Sequence, residues 1–104
     1  MARLVVIYKR PKDIAAFDKY YSETHIPIAK KIPGLRKYEI SQGPILSPMG
    51  LSDSQLIATL HFDDLQSIER ALASPEGQAA AGDLRNFAPN AGDVSMFIFE
   101  SREV

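Results

Sequence analysis

The 104-residue sequence contains no cysteine and only two histidines, His25 and His61. Without a thiol the chain can form no disulfide bond and has no cysteine nucleophile, a composition compatible with a reducing compartment. Two histidines without an HxH or HExxH spacing supply no recognisable set of metal ligands. The glycines also form no GxGxxG or GKS/GKT fingerprint, so we predict neither a metal nor a bound cofactor.

An excess of charge of one sign is missing too. The 12 basic and 13 acidic side chains give a formal net charge of −1 and an isoelectric point near 6.1. Proteins that bind nucleic acid neutralise phosphates with a basic patch, whereas the largest basic run here is Lys30-Lys31, which is typical of a solvated helix face. We therefore expect no nucleic-acid partner.

Long hydrophobic runs are absent as well. The apolar run at the N-terminus, up to Tyr8, is too short for a signal peptide or a membrane span, so we expect no membrane association and a cytoplasmic location. Hydrophobic residues nevertheless make up 45% of the sequence, which is ordinary for a globular protein. The length predicts a single domain over residues 1–104.

Hydrophobic periodicity predicts strands over residues 4–9, 35–42, 54–62 and 94–100, with a loop over residues 43–53. A second helical region is predicted to begin at a cap formed by Asp63 or Asp64 and to restart at Ser74-Pro75. The order β-α-β-β-α-β predicts an α+β, ferredoxin-like fold, in which a four-stranded antiparallel sheet carries helices on one face.

The first helix is predicted to begin near Lys12. Proline removes a backbone hydrogen bond from a helix interior, so we expect Pro27 to break or kink this helix around residues 24–26, with a second turn over residues 28–32. The helix has an apolar stripe at a spacing of three or four residues, comprising Ile14, Phe17, Tyr21, His25 and Ile28.

Both faces of the predicted sheet are apolar. One set alternates along the third strand and is expected to face the helices: Leu56, Ala58, Leu60 and Phe62. A second set of large apolar residues occupies the alternate positions of the strands, whose side chains point to the other face: Val5, Ile7, Ile57, Phe97 and Phe99. A sheet that is apolar on both faces must be covered on both. A two-fold symmetric homodimer achieves this most simply, and a different protein partner is the alternative.

His25 is the candidate catalytic residue. It lies one turn after Tyr21 on the apolar stripe, and an imidazole exchanges protons near neutral pH. Tyr21 and His61 are predicted to hold a substrate oxygen, with Phe17, Ile28 and Tyr38 as further substrate-binding residues. The alternatives are a structural His25 that binds a freed helix carbonyl and a half-exposed His61 at the end of a strand.

Near the end of the last helix, Asp83 and Asn86 are polar residues one turn from Phe87. We expect both to be surface or helix-end groups rather than parts of a site.

Residues 20–38, YYSETHIPIAKKIPGLRKY, resemble the signature of the EthD family, named for bacterial degradation of ethyl tert-butyl ether. The stretch from Ala71 to Phe87 is similar to the helix that precedes the last strand of that family. The resemblance implies a dimeric α+β barrel, in which the sheets of a homodimer close on each other and each subunit keeps a pocket between sheet and helices. It also implies a small apolar or aromatic ligand.

The same resemblance implies an oxidoreductase-associated, small-molecule catabolic protein with a functional link to a separate monooxygenase system. Relatives in the superfamily include cofactor-independent oxygenases, isomerases and dehydratases, and by analogy His25 is the acid or base. The alternative is a non-catalytic carrier that binds an apolar metabolite for a partner monooxygenase system.

Overall fold

The computed structural model describes all 104 residues. The strands are β1 (Ala2–Lys9), β2 (Lys37–Ile40), β3 (Leu46–Ser47), β4 (Gly50–Leu51), β5 (Ser54–Phe62) and β6 (Val94–Glu100). The helices are α1 (Ile14–Tyr20), α2 (Ile26–Ala29), α3 (Leu65–Ala73) and α4 (Pro75–Asp83). A π-helical turn (Tyr21–His25) joins α1 to α2, and a 3-10 turn (Leu84–Asn86) follows α4. None of these helices has the length and apolar character needed to cross a bilayer.

The four long strands form one antiparallel sheet in the order β2-β5-β1-β6. The β-branched run of β1 therefore lies in the middle of the sheet, where Leu4 stands opposite Leu60 on one side and Ile98 on the other. With the helices on one face, this is the predicted α+β ferredoxin-like fold, which the structure confirms.

The core lies between this sheet and the helices. All four residues of β5 that were predicted to face the helices are buried, as are Leu4 and Val6 of β1. The cap of α3 is Asp64, whose side chain accepts a hydrogen bond from the Ser67 amide. Ser74 caps α4 in the same way, as predicted, and this capped helix carries Asp83 as its last residue.

The other face of the sheet carries no helix. We name it the open sheet face and define it by its five large apolar side chains: Val5, Ile7, Ile57, Phe97 and Phe99. Phe97 is 54% exposed and Phe99 is 43% exposed, whereas the other three are partly buried. In the register of the sheet Val5 pairs with Phe97 and Ile7 with Ile57, so these side chains form a continuous apolar surface.

The helix is not broken at Pro27 but changes from α to π geometry over Tyr21–His25, which overlaps the predicted position of a break or kink. The Ile26 amide donates to the Tyr21 carbonyl, five residues earlier, so the backbone ladder continues as a π turn. Pro27 then lies in the first turn of α2, directly after this turn. The extra residue of the π turn rotates the chain that follows, so Ala29 is buried in the core and Ile28 is only partly buried.

The connection between β2 and β5 also differs from the prediction. Strand β2 is shorter than the predicted strand over residues 35–42, and the predicted loop contains the small hairpin β3–β4. Gly50 adopts a φ of 120°, a backbone conformation that residues with a side chain rarely adopt. This conformation allows the tight turn of the hairpin. Proline and glycine in this segment indicated the turn, and strands of two residues are too short to produce a periodic pattern.

Candidate functional site

A cavity of about 70 Å³ lies between the sheet and the helices. Hydrophobic residues make up 14 of the 16 that line it. Three tyrosines, Tyr8, Tyr21 and Tyr38, contribute rings to the wall, and His25 is the only other side chain in the wall that can exchange a proton. The cavity is therefore suited to an apolar molecule that offers a small number of polar atoms.

His25 is held in the wall of this cavity by aromatic neighbours. It lies at the end of the π turn and is 5% exposed. Its ring centre is 5.2 Å from that of Tyr21 and 4.7 Å from that of Phe87. The π turn brings Tyr21 and His25 to the same side of the helix, and the imidazole packs against the rings of Tyr21 and Phe87, whose own centres are 5.9 Å apart.

Asp83 ties His25 to the end of α4. The Nδ1 atom of His25 lies 2.9 Å from Oδ2 of Asp83, and both residues are buried. The other carboxylate oxygen, Oδ1, accepts a hydrogen bond of 2.6 Å from the Tyr20 hydroxyl and one of 2.9 Å from Nδ2 of Asn86. The other ring nitrogen of His25, Nε2, makes no hydrogen bond within the protein, and this atom is not fully buried.

These contacts determine the charge of Asp83. Burial by itself raises the pKa of the carboxyl group, but hydrogen bonds from Tyr20, Asn86 and His25 favour the carboxylate and hold its pKa below the ordinary value. Asp83 is therefore ionised at neutral pH.

The hydroxyl groups of Tyr21 and Tyr38 meet at 2.5 Å. Burial raises the pKa of both phenols above their ordinary value, so both remain protonated and able to donate at neutral pH. Tyr21 also lines a second, larger groove of about 570 Å³ between α1 and the β3–β4 hairpin. Its ring thus separates the cavity from this outer groove.

Three of the six predicted site residues, His25, Tyr21 and Tyr38, lie together in the cavity wall. Phe17 does not reach the cavity, because its ring is packed against Tyr8 and Tyr21 inside the core. Ile28 is also absent from the wall. After the π turn, Ala29 rather than Ile28 lines the cavity. Phe17 and Ile28, which were predicted to contact the substrate, therefore lie outside the wall of this cavity.

His61 lies on the side of the sheet away from the cavity. It is paired in the sheet with Lys37 and Arg3, and its Nε2 atom lies 2.6 Å from Oε1 of Glu39. The two side chains predicted to share a substrate oxygen, Tyr21 and His61, are thus on opposite faces of the sheet. In no part of the chain do three histidine, aspartate or glutamate side chains converge to hold a metal ion.

Sequence reasoning did not assign Asp83 to the site. It was expected to be a surface or helix-end group, and it is the last residue of α4 but is buried, with 5% exposed. Asn86 is exposed, as expected, yet its amide reaches Asp83. A signal was present, because Ala80, Asp83 and Phe87 follow one another at helical spacing on the inner stripe of the last helical region. An acidic residue on such a stripe indicates a buried polar contact.

The fold and the cavity define a ferredoxin-like α+β protein with a buried histidine–aspartate pair. The EthD domain matches residues 9–90. An uncharacterized 11.0 kDa protein of Rhodococcus erythropolis, from the thcB-thcC intergenic region, is 36% identical over 104 residues, which are 100% of this chain and 98% of that protein. This chain belongs to the EthD family.

Solved structures agree with this membership. The crystal structure of an EthD family protein of Bacillus halodurans is 35% identical and gives a TM-score of 0.89 over 98% of this chain and 99% of that chain. SnoaB of Streptomyces nogalater, a cofactor-independent oxygenase, is 16% identical and gives a TM-score of 0.68 over 99% of this chain and 94% of that chain. The second likeness is one of fold alone.

Proposed function

We propose that the protein binds a small apolar or aromatic molecule in the cavity beside His25, and that His25 acts on it as a general base and acid. One observation carries the proposal: a buried imidazole, held at Nδ1 and without a protein partner at Nε2, lies in the wall of an apolar cavity. A neutral imidazole in such a place can take a proton from an acidic phenol or carbon acid and return it at another atom. Catalysis of this kind contributes roughly 10²–10⁴-fold.

The reaction class is one that begins with proton removal and requires no cofactor: oxygenation, isomerisation or dehydration. Membership of the EthD family and the fold shared with SnoaB, a cofactor-independent oxygenase, support this choice. In an oxygenation, the electrons would come from the substrate itself or from a partner monooxygenase system. The Tyr21 and Tyr38 hydroxyls remain protonated. One of them donates to the other, so the pair has one free O–H group, which would donate a hydrogen bond to the substrate oxygen.

The functional unit in this proposal is a homodimer. The open sheet face presents five large apolar side chains to solvent, and covering such a side chain contributes roughly 1.5–3 kcal/mol when burial is complete. A second copy of the same chain brings a matching apolar face, which is the arrangement of a two-fold interface.

A carrier that delivers an apolar metabolite to a separate monooxygenase is the second candidate. The lining of the cavity favours it, because 14 of 16 residues are hydrophobic and apolar burial alone can retain a ligand. The two candidates differ in one respect: only the catalyst transfers a proton.

The test uses 2-indanone, a small ketone with acidic C–H groups next to its carbonyl. Binding is measured by ligand-observed NMR and proton removal by exchange of those C–H groups in D₂O. We expect the wild-type protein to bind the ketone and to accelerate exchange over buffer, and His25→Gln to bind it without accelerating exchange. Binding without exchange by the wild type supports the carrier, and absence of binding contradicts both candidates.

A further inference from the structure

We propose that Asp83 is a positioning residue that fixes the neutral His25 ring with its hydrogen on Nδ1, so that the unprotonated Nε2 atom is presented to the cavity as the base. This inference rests on the proposed function, because it assigns how the base is prepared and which ligands the cavity accepts. Asp83 was not among the site residues predicted from the sequence.

The hydrogen-bond donors around Asp83 settle the tautomer. An ionised carboxylate can only accept hydrogen bonds, and its Oδ1 atom already accepts from the Tyr20 hydroxyl and the Asn86 amide. Oδ2 lies 2.9 Å from Nδ1 of His25, so Nδ1 must be the donor in this contact. In a neutral imidazole the hydrogen on Nδ1 leaves Nε2 with a free lone pair.

Packing against two aromatic rings restricts rotation of the imidazole out of this arrangement. Tyr21 and Phe87 approach the ring centre within 5.2 Å and 4.7 Å. A rotation that turned Nδ1 away from Asp83 would also leave a buried carboxylate oxygen without its donor, which is costly in an apolar interior.

The same pair indicates the charge of the substrate. When Nε2 takes a proton from a neutral O–H or C–H acid, the electron pair stays on the substrate, the ring becomes an imidazolium and Asp83 remains a carboxylate. The site then holds the same net charge as before, because the new anion and cation balance. No lysine or arginine lines the cavity. While His25 is neutral, an anionic ligand would therefore add a second negative charge near Asp83 with no cation to balance it. The cavity should therefore accept neutral acids and reject carboxylates.

The first experiment needs no ligand. Imidazole ¹⁵N spectra of the wild type, at a pH where the ring is neutral, should show a protonated Nδ1 and an unprotonated Nε2. In Asp83→Asn, the donors from Tyr20 and Asn86 still require an oxygen at the Oδ1 position, which turns the new NH₂ group toward Nδ1. We expect the hydrogen to move to Nε2 and the two ¹⁵N signals to exchange character, as the corresponding Asp→Asn change does in the serine protease triad.

Asn86→Ala is the matched control, because it removes one donor to Asp83 without touching His25, and its tautomer should remain that of the wild type. The proposal is overturned if the wild type carries its hydrogen on Nε2, or if Asp83→Asn leaves the tautomer unchanged. These spectra decide the role of Asp83 even if no ligand binds and the proposed function fails.

The second experiment examines the ligand class with a matched pair, 2-indanone and indane-2-carboxylate. At neutral pH we expect the wild type to bind the ketone at least 10-fold more tightly than the carboxylate. Asp83→Asn should keep the ketone affinity within about 3-fold and lose at least 10-fold of the exchange rate. Equal affinity for ketone and carboxylate contradicts the inferred substrate charge, and unchanged exchange in Asp83→Asn contradicts the positioning role.

Discussion

The hydroxyl pair of Tyr21 and Tyr38 is a small polar contact in an apolar wall. Removal of either hydroxyl leaves the other without this partner, whereas removal of both replaces a hydrogen bond by apolar contact. We therefore expect Tyr21→Phe and Tyr38→Phe to show a coupling energy of about 1 kcal/mol in a double-mutant cycle measured by urea unfolding. Strictly additive effects would contradict a bond between the two groups.

The carboxylate of Asp83 links stability to pH. Its hydrogen bonds lower its pKa in the folded protein, so the stability it contributes is present above the unfolded value of about 3.9 and is lost as the pH falls through the folded value. Asn at this position cannot ionise. We expect Asp83→Asn to be less stable than the wild type at pH 7 and to lose less stability between pH 7 and pH 3.

Urea unfolding at the two pH values measures this difference. Glu39, Asp63 and Asp64 also have lowered pKa values and remain in both proteins, so both should still weaken in acid. If the wild type and Asp83→Asn lost equal amounts of unfolding free energy between pH 7 and pH 3, Asp83 would not contribute to the pH dependence of stability.

The residues of the site differ in how far the sequence could predict them. His25 and Tyr21 share one helical stripe next to Pro27, so local spacing was sufficient to bring them together. Asp83 stands 58 positions away from His25 and reaches it because α4 packs against α2. A contact between two helices depends on how both lie on the sheet, and a single sequence contains no measure of that arrangement.

Among the helices, the joint between α3 and α4 is a close contact of the backbone. A Cβ atom on Gly77 would lie 2.0 Å from the carbonyl oxygen of Ala71, and this oxygen belongs to the backbone and cannot move aside cheaply. Overpacking of this kind destabilises by about 1–3 kcal/mol. We expect Gly77→Ala to lower the free energy of unfolding by that amount or more, measured by urea unfolding.

Gly82, in the same helix, is the control. A Cβ atom there would meet only the flexible end of the Arg85 side chain, at 3.4 Å. Alanine has a higher helix propensity than glycine by roughly 0.8–1.0 kcal/mol, so Gly82→Ala should be neutral or stabilising. An unchanged free energy of unfolding in Gly77→Ala would show that α3 and α4 are free to separate.

The strands and capped helices followed from local rules, because alternation, caps and prolines act over a few residues. The π turn did not follow. Pro27 signals that the α-helical ladder cannot continue unchanged, but a break and an inserted residue both relieve the clash. The choice between them depends on the core, where Ala29 and Ile32 fit against the sheet better than a frayed end would.

At the scale of the whole molecule, the open sheet face is the feature that most affects behaviour in solution. We expect the wild type to be a dimer at micromolar concentration in light scattering. Phe97→Lys, which places a charge on the β6 side of that face, should produce a monomer that keeps its circular dichroism spectrum.

Met49→Lys is the matched control for this change, because Met49 is 96% exposed at the tip of the hairpin and outside the open sheet face. It should leave the dimer intact. A monomeric wild type would contradict the homodimer, and dissociation by Met49→Lys alone would move the interface to the hairpin.

Tyr21 lines both the inner cavity and the outer groove, so it is part of the wall between them. Only 1% of the residue is exposed, and besides its hydroxyl contact with Tyr38 its ring packs against four other rings: Tyr8, Phe17, His25 and Phe87. A ligand that crossed this wall would have to move an aromatic ring out of a packed cluster. Exchange of a ligand between groove and cavity by this route should therefore be slow, whatever its affinity for the apolar lining.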